Sequence, residues 1–541
     1  MSRTVRIGTL LALVFVLAMS ALIGCGTQQA AAPKPEEKKP TVLRMNNEEE
    51  PTTLDPALIT SGTEIRIAKQ TWTGLLDQDP DGKLIPKLAE KWDISADGKT
   101  YTFTLRKGVK FQNGREVTAD DFVWSMTRAL DPKMRSSTAL LYLGDIVGAQ
   151  AFNEGKAQTV TGLVAKDKST LQITIDAAKA YFLAKLTYPT AYPIAKEEVA
   201  KGANWTEGHK AGTGPFILDK WTHKDKVMMS AWADYYEGKA KVNQLQWSII
   251  GDQNTALLMY KNGELDIVEV PPLQYDSIKK DATLGKEERE RARASVTYLA
   301  LNQGAYAPFK DKRVRQAFAM AMDKKGLAQV VYQNTVDVAG GFLPPGIPGY
   351  DKTFTGLAFD PAKAKQLLAE AGFKDPAKMP KLVITYNSRS PNYDRMAQYY
   401  QAQWKQNLGV PVEIQGKEGG AYTSDVFAGN VVHVFIGSWG ADYIDAQNFL
   451  SGLFASTSSR AKRVGYLSKP FDNATLTADV EKDQAKRTEL YKQGDKILVA
   501  DDAAVVPIYY PKYMWLQKPY VKGYERDSME VIQLTRVTVE K

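Results

Sequence analysis

Cysteine is nearly absent from this chain of 541 residues, in which Cys25 is the only one. The sequence therefore excludes an intrachain disulfide and a zinc site built from several thiolates. Histidine is almost as scarce, because only His209, His223 and His433 occur and no two of them have the spacing of metal ligands. We therefore expect neither a metal site nor any other cofactor.

A basic stripe is also missing, although the 70 lysines and arginines exceed the 62 acidic residues and give a net charge of +8. The longest basic run, residues 289–293, is interrupted by Glu290. Nucleic acid is therefore not expected as a partner, whereas a mild positive charge suits solubility and an anionic membrane surface. Hydrophobic residues make up 44% of the chain, which is typical of globular proteins and excludes intrinsic disorder.

Common catalytic and metal-binding motifs are lacking as well. The sequence contains no G-x-S-x-G, no Walker A motif and no H-E-x-x-H. The S-x-x-K pattern at 459–462 also occurs at 277–280, and no K-T-G accompanies either one. Residues 77–82 imitate the first half of a calcium loop, but its twelfth position is Leu88 instead of glutamate, which favours a β-turn. We therefore predict that the protein is not an enzyme.

The N-terminus carries the only long apolar run. Two arginines precede Leu10–Ile23, which is too short for a comfortable membrane span and is typical of a signal peptide, in this chain residues 1–24. Residues 22–25, Leu-Ile-Gly-Cys, resemble a bacterial lipobox, so Cys25 is the predicted lipidation site. Residues 25–40 then form a solvated tether. The sequence predicts a lipid-anchored protein on the extracytoplasmic face of the cell membrane; an uncleaved membrane anchor is the alternative.

Strand patterns and helix patterns alternate through the rest of the chain. Tyr101, Phe103 and Leu105 alternate with polar residues and predict a half-buried strand. Thr118 and Asp121 have the spacing of a capping box, which predicts a helix over Asp121–Leu130. Further strands are predicted at 265–270, 296–302, 381–387, 410–415 and 431–437.

Three more helices are predicted between these strands. Asp360 and Gly372 bound one of them, Gly409 closes another, and residues 313–332 have the pattern of a single amphipathic helix. The succession of strands and helices indicates an α/β fold with mostly crossover connections. About three domains, or one elaborate pair, are expected from the length.

Six segments together identify a family resemblance. They resemble the oligopeptide- and dipeptide-binding lipoproteins among the extracellular solute-binding proteins of family 5, which serve peptide ABC transporters. The resemblance covers nearly the whole mature chain. The segments are residues 51–58, 101–132, 212–218, 298–324, 438–450 and 504–524.

The resemblance implies a two-lobed, hinged fold of the periplasmic-binding-protein type (type II), with an additional domain in the N-terminal lobe. By analogy, domain I combines residues 41–71, 206–295 and 511–541, domain II is 72–205, and domain III is 296–510. It further implies a monomeric substrate-binding component that captures extracellular oligopeptides between closing lobes and delivers them to ABC permease subunits. Relatives on this fold bind dipeptides, signalling peptides, nickel chelates or oligosaccharides, which remain alternatives. A secreted hydrolase is the alternative from a different class.

The family's W-x-x-D-Y motif occurs at 439–443. In the family its acidic residue binds the α-ammonium of the peptide, which implies this role for Asp442, with Trp439 and Tyr443 flanking it. A buried ammonium requires a charged partner, so the chemistry is consistent. The alternative is that Asp442 caps a helix that begins near Ile444.

Two further considerations predict the remaining site residues. One is where main-chain groups could pair with an extended ligand, and the other is a position at which this chain differs from some members of the family. Ser61, Gly62, Gly437 and Ser438 are expected to offer main-chain groups to an extended ligand. Some relatives hold the ligand carboxylate with an arginine three positions before the tryptophan, where this chain has an isoleucine. We therefore predict Arg389 as the carboxylate partner. A solvated loop arginine is the alternative.

Overall fold

A computed structural model describes residues 40–79, 82–429, 432–458, 460–529 and 534–541. The predicted signal peptide and Cys25 lie outside these residues, as does all but the last residue of the tether. Among the described residues, no helix has the length and apolar character needed to cross a membrane.

The strands of the described residues follow one another from Val42 to Val539. They are β1 (Val42–Asn46), β2 (Leu76–Gln78), β3 (Leu84–Pro86), β4 (Ala89–Ile94), β5 (Thr100–Leu105), β6 (Leu163–Asp167), β7 (Thr170–Thr174), β8 (Phe216–Thr222), β9 (Lys226–Ala231), β10 (Gln244–Ser248), β11 (Ile267–Glu269), β12 (Glu288–Ala292), β13 (Ser295–Leu301), β14 (Val336–Val338), β15 (Leu382–Asn387), β16 (Val412–Lys417), β17 (Val434–Gly440), β18 (Val505–Gln517), β19 (Val521–Lys522) and β20 (Thr538–Val539).

The α-helices alternate with these strands. They are α1 (Gly62–Thr71), α2 (Ala119–Leu130), α3 (Ala139–Leu143), α4 (Ala149–Asn153), α5 (Phe182–Lys185), α6 (Lys196–Val199), α7 (Gln253–Lys261), α8 (Tyr275–Lys280), α9 (Leu284–Glu287), α10 (Lys312–Met320), α11 (Lys324–Val330), α12 (Pro361–Glu370), α13 (Pro391–Leu408), α14 (Gly419–Ala428), α15 (Ser451–Phe454), α16 (Lys469–Val480) and α17 (Gln484–Lys496). Short 3₁₀ turns at Ala446–Asn448 and Ala461–Arg463 border the candidate site.

Three larger sheets organise the described residues. One has the order β1-β10-β9-β8, and a second, formed between residues 89 and 174, has the order β4-β5-β7-β6. The third has eight strands in the order β11-β18-β13-β17-β15-β16, with β12 and β14 also paired to β18. The long strand β18 therefore pairs with β11 and β12, which precede β13 in the chain, with β13 itself, and with β14, which follows it.

Strand β13 is buried along its whole length because hydrophobic clusters cover both faces of its sheet. Leu299 and Leu301 face one cluster, which includes Trp404, while Tyr298 and Ala300 face the other. A strand covered on both faces has a continuous apolar sequence instead of an alternating one. This burial fixes the position of β17, the neighbour of β13 that leads into the 439–443 motif.

Most of the local predictions are confirmed. Tyr101, Phe103 and Leu105 are the buried residues of β5. Helix α2 has the predicted capping box of Thr118 and Asp121, and it begins at Ala119. The caps at Asp360 and Gly409 are also present; the Asp360 side chain accepts from the Lys363 N–H, and Gly409 has a left-handed φ of 78°.

The prediction of a single helix over 313–332 is wrong. The segment forms two helices, α10 and α11, which are separated at Asp323. The Asp323 side chain accepts the Gly326 N–H at 2.9 Å and so caps the start of α11. A capped helix start satisfies backbone donors that a continuous helix would have bonded internally.

Candidate functional site

Asp442 lies just beyond the carboxyl end of β17. Its side chain accepts a hydrogen bond from the Asn448 amide, with an Oδ2–Nδ2 distance of 3.3 Å, and the Tyr142 hydroxyl lies close enough to favour its charged form. The Asp442 N–H donates to Asn448 Oδ1 at 3.1 Å. Tyr142 is in α3, so residues distant in sequence surround this carboxyl group.

The Asp442 carboxyl group is a half-buried acid with no cation in contact among the described residues. Burial raises its pKa above the ordinary value, against the hydrogen bonds from Tyr142 and Asn448 and the more distant charge of Arg460. An ionised carboxylate in this position would be stabilised by a cationic hydrogen-bond donor, such as an ammonium group.

The alternative role of Asp442 as a helix cap is wrong. The neighbouring 3₁₀ turn begins at Ala446, and its N-cap is Asp445, whose Oδ1 accepts the Gln447 N–H at 2.9 Å. Asp445 Oδ1 also accepts from Arg487 Nη2 at 2.7 Å. Because Asp445 performs the capping, the Asp442 carboxyl group is available for other contacts.

Trp439 and Tyr443 have different surroundings. The Trp439 indole N–H donates to Asn448 Oδ1 at 3.2 Å, and the Arg460 guanidinium carbon lies 4.5 Å from the centre of a Trp439 ring. Tyr443 is buried with its ring edge-on to Tyr142, at 6.5 Å between ring centres. It packs in the hydrophobic cluster formed otherwise by residues 57–211. Trp439 therefore faces a partly open space, whereas Tyr443 is packed in the core.

A cavity of about 220 Å³ brings together two of the predicted segments. Its walls come mainly from the start of α1 and from the end of β17. They include Thr60, Gly62, Arg66, Arg293, Trp439 and Asp442. Ser61 is the N-cap residue of α1 between two of these positions, and Glu64 completes its capping box.

The edge of β17 beside Ser438 is open on its β15 side. In the described residues β17 pairs with β13 along its whole length, but with β15 only at Val434 and Phe435. The Ala441 N–H donates to the Ala294 carbonyl, which sets the antiparallel alternation and turns the Ser438 backbone groups away from β13. An extended chain can pair with such an edge.

Gly437 lies next to this edge in a position that requires glycine. A Cβ atom added there would lie 2.5 Å from the ring of Tyr298, which is buried. The close approach of backbone and ring keeps this part of β17 flat against the core. Gly437 therefore allows β17 to lie close to the core, and the exposed Ser438 beside it has its backbone groups at the open edge.

Arg389 is not close to the Asp442 cavity. Its side chain is 74% exposed and forms an ion pair with Glu418. The described residues that line the cavity do not include it. The structure brings Gly62, Trp439 and Asp442 together and leaves Arg389 on the surface beyond β15.

Sequence reasoning did not identify Tyr142, Asn448 or Arg460. Asn448 lies six residues after Asp442, so a search for polar residues in the same segment would have found it. No sequence signal connects Tyr142 or Arg460 to Asp442, because only the tertiary fold brings them together.

The two parts of the chain that meet at the motif also touch elsewhere. The Ile444 N–H donates to Gln78 Oε1 at 3.3 Å, and the Lys482 ammonium donates to the Ala96 carbonyl at 3.3 Å. The Ala180 N–H reaches the Asp479 carbonyl at 3.4 Å. These hydrogen bonds join residues 78–180 to residues 444–482.

Groups of three or more possible metal ligands are not found among the described residues. The segment that imitates a calcium loop includes residues 80 and 81, which lie outside the described ranges. At its end the Gly82 N–H donates to the Asp79 carbonyl at 2.9 Å.

Comparisons with known proteins agree with this arrangement. Residues 83–461 match the model of the family described as bacterial extracellular solute-binding proteins, family 5 Middle. The dipeptide-binding protein DppE of Bacillus subtilis is 31% identical over 532 residues, which cover 95% of this chain and 96% of DppE.

Two solved structures also superpose on nearly the whole chain. The murein tripeptide binding protein MppA of Escherichia coli gives a TM-score of 0.80 at 30% identity, over 93% of this chain and 99% of MppA. Haemophilus influenzae OppA, in complex with RPPGFSPFR, gives a TM-score of 0.78 at 28% identity, over 93% of this chain and 99% of OppA. The predicted fold class, a two-lobed periplasmic-binding-protein fold with an additional domain in the N-terminal lobe, is confirmed.

Proposed function

We propose that this protein, which belongs to the family 5 bacterial extracellular solute-binding proteins, captures oligopeptides outside the cell and delivers them to an ABC transporter permease. The observation that carries the proposal is the half-buried carboxyl group of Asp442, which lies at a cavity and has no cation in contact among the described residues. A peptide supplies the missing cation as its α-ammonium group.

Main-chain pairing supplies the rest of peptide recognition. The open β17 edge at Ser438 offers backbone groups to an extended ligand, which gives affinity without reading side chains. At the start of α1, Gly62 lies at the cavity wall, whereas the Ser61 N–H already donates to Glu64 Oε2 at 3.1 Å. Trp439 packs beside the ammonium. The relatives support a peptide as ligand, since OppA of Haemophilus influenzae was solved with RPPGFSPFR.

The lobes close over the ligand in this proposal. Domain I (41–71, 206–295 and 511–541) and domain II (72–205) form one lobe, and domain III (296–510) forms the other. The sheet β1-β10-β9-β8 and the sheet β4-β5-β7-β6 have their strands in the first lobe, which supports this division. The protein acts as a monomer in this proposal.

The test of this function is the capture of intact peptide. Native mass spectrometry of protein purified from its own cells should reveal co-purified peptides, and titration calorimetry with the same peptides should give saturable binding. After long incubation, the recovered peptide should have its original mass. A cleaved product would instead indicate the hydrolase, and a co-purified chelate or sugar would replace peptide as the ligand.

Membrane attachment through Cys25 completes the proposal, although this residue lies outside the described ones. Changing Cys25→Ser removes the thiol that would carry the lipid, so the protein should leave the membrane fraction or accumulate as an uncleaved precursor. Cell fractionation and the mobility of the labelled protein measure this. A variant that fractionates and migrates like the parent would show that Cys25 carries no anchor.

A further inference from the structure

Two arginines near Trp439, Arg460 and Arg463, form no ion pair with a carboxylate of the described residues. The Arg460 guanidinium stacks on Trp439, and the Arg463 guanidinium carbon lies 4.9 Å from the ring centre of Phe427. Arg463 Nε donates to the Arg460 carbonyl at 3.2 Å, so the two residues are held together.

The other cations around the site differ in this respect. Lys69 pairs with Asp77 at 3.0 Å, and Arg66 lies 3.9 Å from Glu48. A half-buried cation without a counter-ion is unfavourable, and a second like charge beside it adds to the cost. Consistent with this, burial and the charge of Arg460 lower the pKa of Arg463.

The Arg460 guanidinium and the Asp442 carboxyl group are both linked to the Trp439 indole, the first directly and the second through Asn448. Trp439 stacks against Arg460, and its N–H bonds Asn448, which also contacts Asp442. Asp442 and Arg460 are close enough for the charge of the arginine to act on the carboxyl group. Trp439 directly follows Ser438 in β17, so the arginine stacks on the residue next to the open edge, and Asp442 lies three residues further along the chain.

We propose that Arg460, supported by Arg463, binds a carboxylate of the ligand, so that the site selects peptides with an acidic group close to their free amine. The inference rests on the proposed peptide-binding function. The planar guanidinium group of arginine can bind a carboxylate through two hydrogen bonds. A ligand that carries both an ammonium and a carboxylate group would pair the first with Asp442 and the second with Arg460, so that both protein charges are neutralised. The carboxylate comes from the C-terminus of a short peptide or from an acidic side chain near the N-terminus of a longer one.

The first experiment uses alanine peptides of two to five residues, each as the free acid and as the C-terminal amide. Titration calorimetry on the parent should show that amidation of the best-bound length weakens affinity about 10- to 100-fold, as expected for a charge-assisted hydrogen bond. In Arg460→Gln the acid and the amide should bind equally. Arg460→Lys should restore part of the preference, because it keeps the charge without the fork.

A matched control separates Arg460 from a general charge effect. Arg389→Gln also removes one arginine from the same part of the chain, and we expect it to keep the full preference for the acid. Thermal unfolding of Arg460→Gln should match the parent, since the side chain is only half-buried. If Arg389→Gln abolishes the preference and Arg460→Gln keeps it, the carboxylate assignment to Arg460 is wrong.

The source of the carboxylate is tested with the amides Ala-Asp-Ala-NH₂ and Ala-Asn-Ala-NH₂. Tighter binding of the aspartyl peptide, lost in Arg460→Gln, identifies an acidic side chain, whereas no difference leaves the C-terminus as the source. Peptides that bind the parent equally as acid, amide, aspartyl and asparaginyl forms would refute the inference and leave the proposed function intact. A parent that binds none of these peptides would refute both.

Discussion

Asp442→Ala is expected to weaken peptide affinity by roughly 30- to several thousand-fold, because truncating one side of a buried charge pair typically costs about 2–5 kcal/mol. In the variant the ligand ammonium would be buried beside the neutral side chains of Tyr142 and Asn448. N-acetylation of the peptide removes the same interaction from the other side. A calorimetric double cycle should therefore show losses that do not add.

A control variant and a series of measurements at different pH values accompany this experiment. Glu413→Ala removes an exposed acid that pairs with Lys381 and should leave affinity unchanged. The pH dependence gives a second measurement, since the raised pKa means that Asp442 takes up its proton at a higher pH than an ordinary aspartate. Affinity of the parent should fall as the pH falls through that pKa, and Asp442→Asn should remove this dependence. Additive losses in the double cycle would place the role of Asp442 elsewhere.

The second large effect is expected for stability. Arg487→Met should lower the free energy of unfolding by about 3–5 kcal/mol, because it leaves buried carboxylates without their cation. Arg487 Nη2 bonds Asp445 Oδ1 at 2.7 Å, and both side chains are less than 10% exposed. Arg487 also bonds the Tyr491 hydroxyl, which donates to Asp479. Urea denaturation at neutral pH measures the loss.

The pH dependence distinguishes this explanation from a simple packing defect. Burial raises the pKa of Asp479 to about 6, so the folded state favours its protonated form and loses stability as the pH rises through that value. In Arg487→Met the deficit should be smaller at pH 5 than at pH 8, since protonation relieves the unpaired carboxyls. Arg389→Met, in an exposed ion pair, should cost less than about 1 kcal/mol. A deficit independent of pH would indicate lost packing instead.

Local features were predictable because their causes lie within a few residues. The capping box of Thr118 and Asp121, the N-cap at Asp360 and the left-handed Gly409 depend on side chains that bond backbone in the same turn or on the conformation of one residue. The break between α10 and α11 has an equally local cause in Asp323, but the apolar periodicity of 313–332 concealed it. Periodicity reports which face is buried and does not show whether the helix continues.

The sequence by itself determined the α/β class, the family and the position of Asp442, because these depend on order and motif along the chain. Only the tertiary structure decided what surrounds that residue. Tyr142 lies 300 positions before Asp442, and Arg460 is the N-cap residue of a separate 3₁₀ turn, yet both act on its carboxyl group. The electrostatic environment of the Asp442 carboxyl group depends on its distances to these side chains. Those distances are set by the pairing of β17 with β13 and by the packing of α3. For this reason the sequence led to Arg389 as the expected carboxylate partner, whereas the contacts of Trp439 in the tertiary structure led us to propose Arg460.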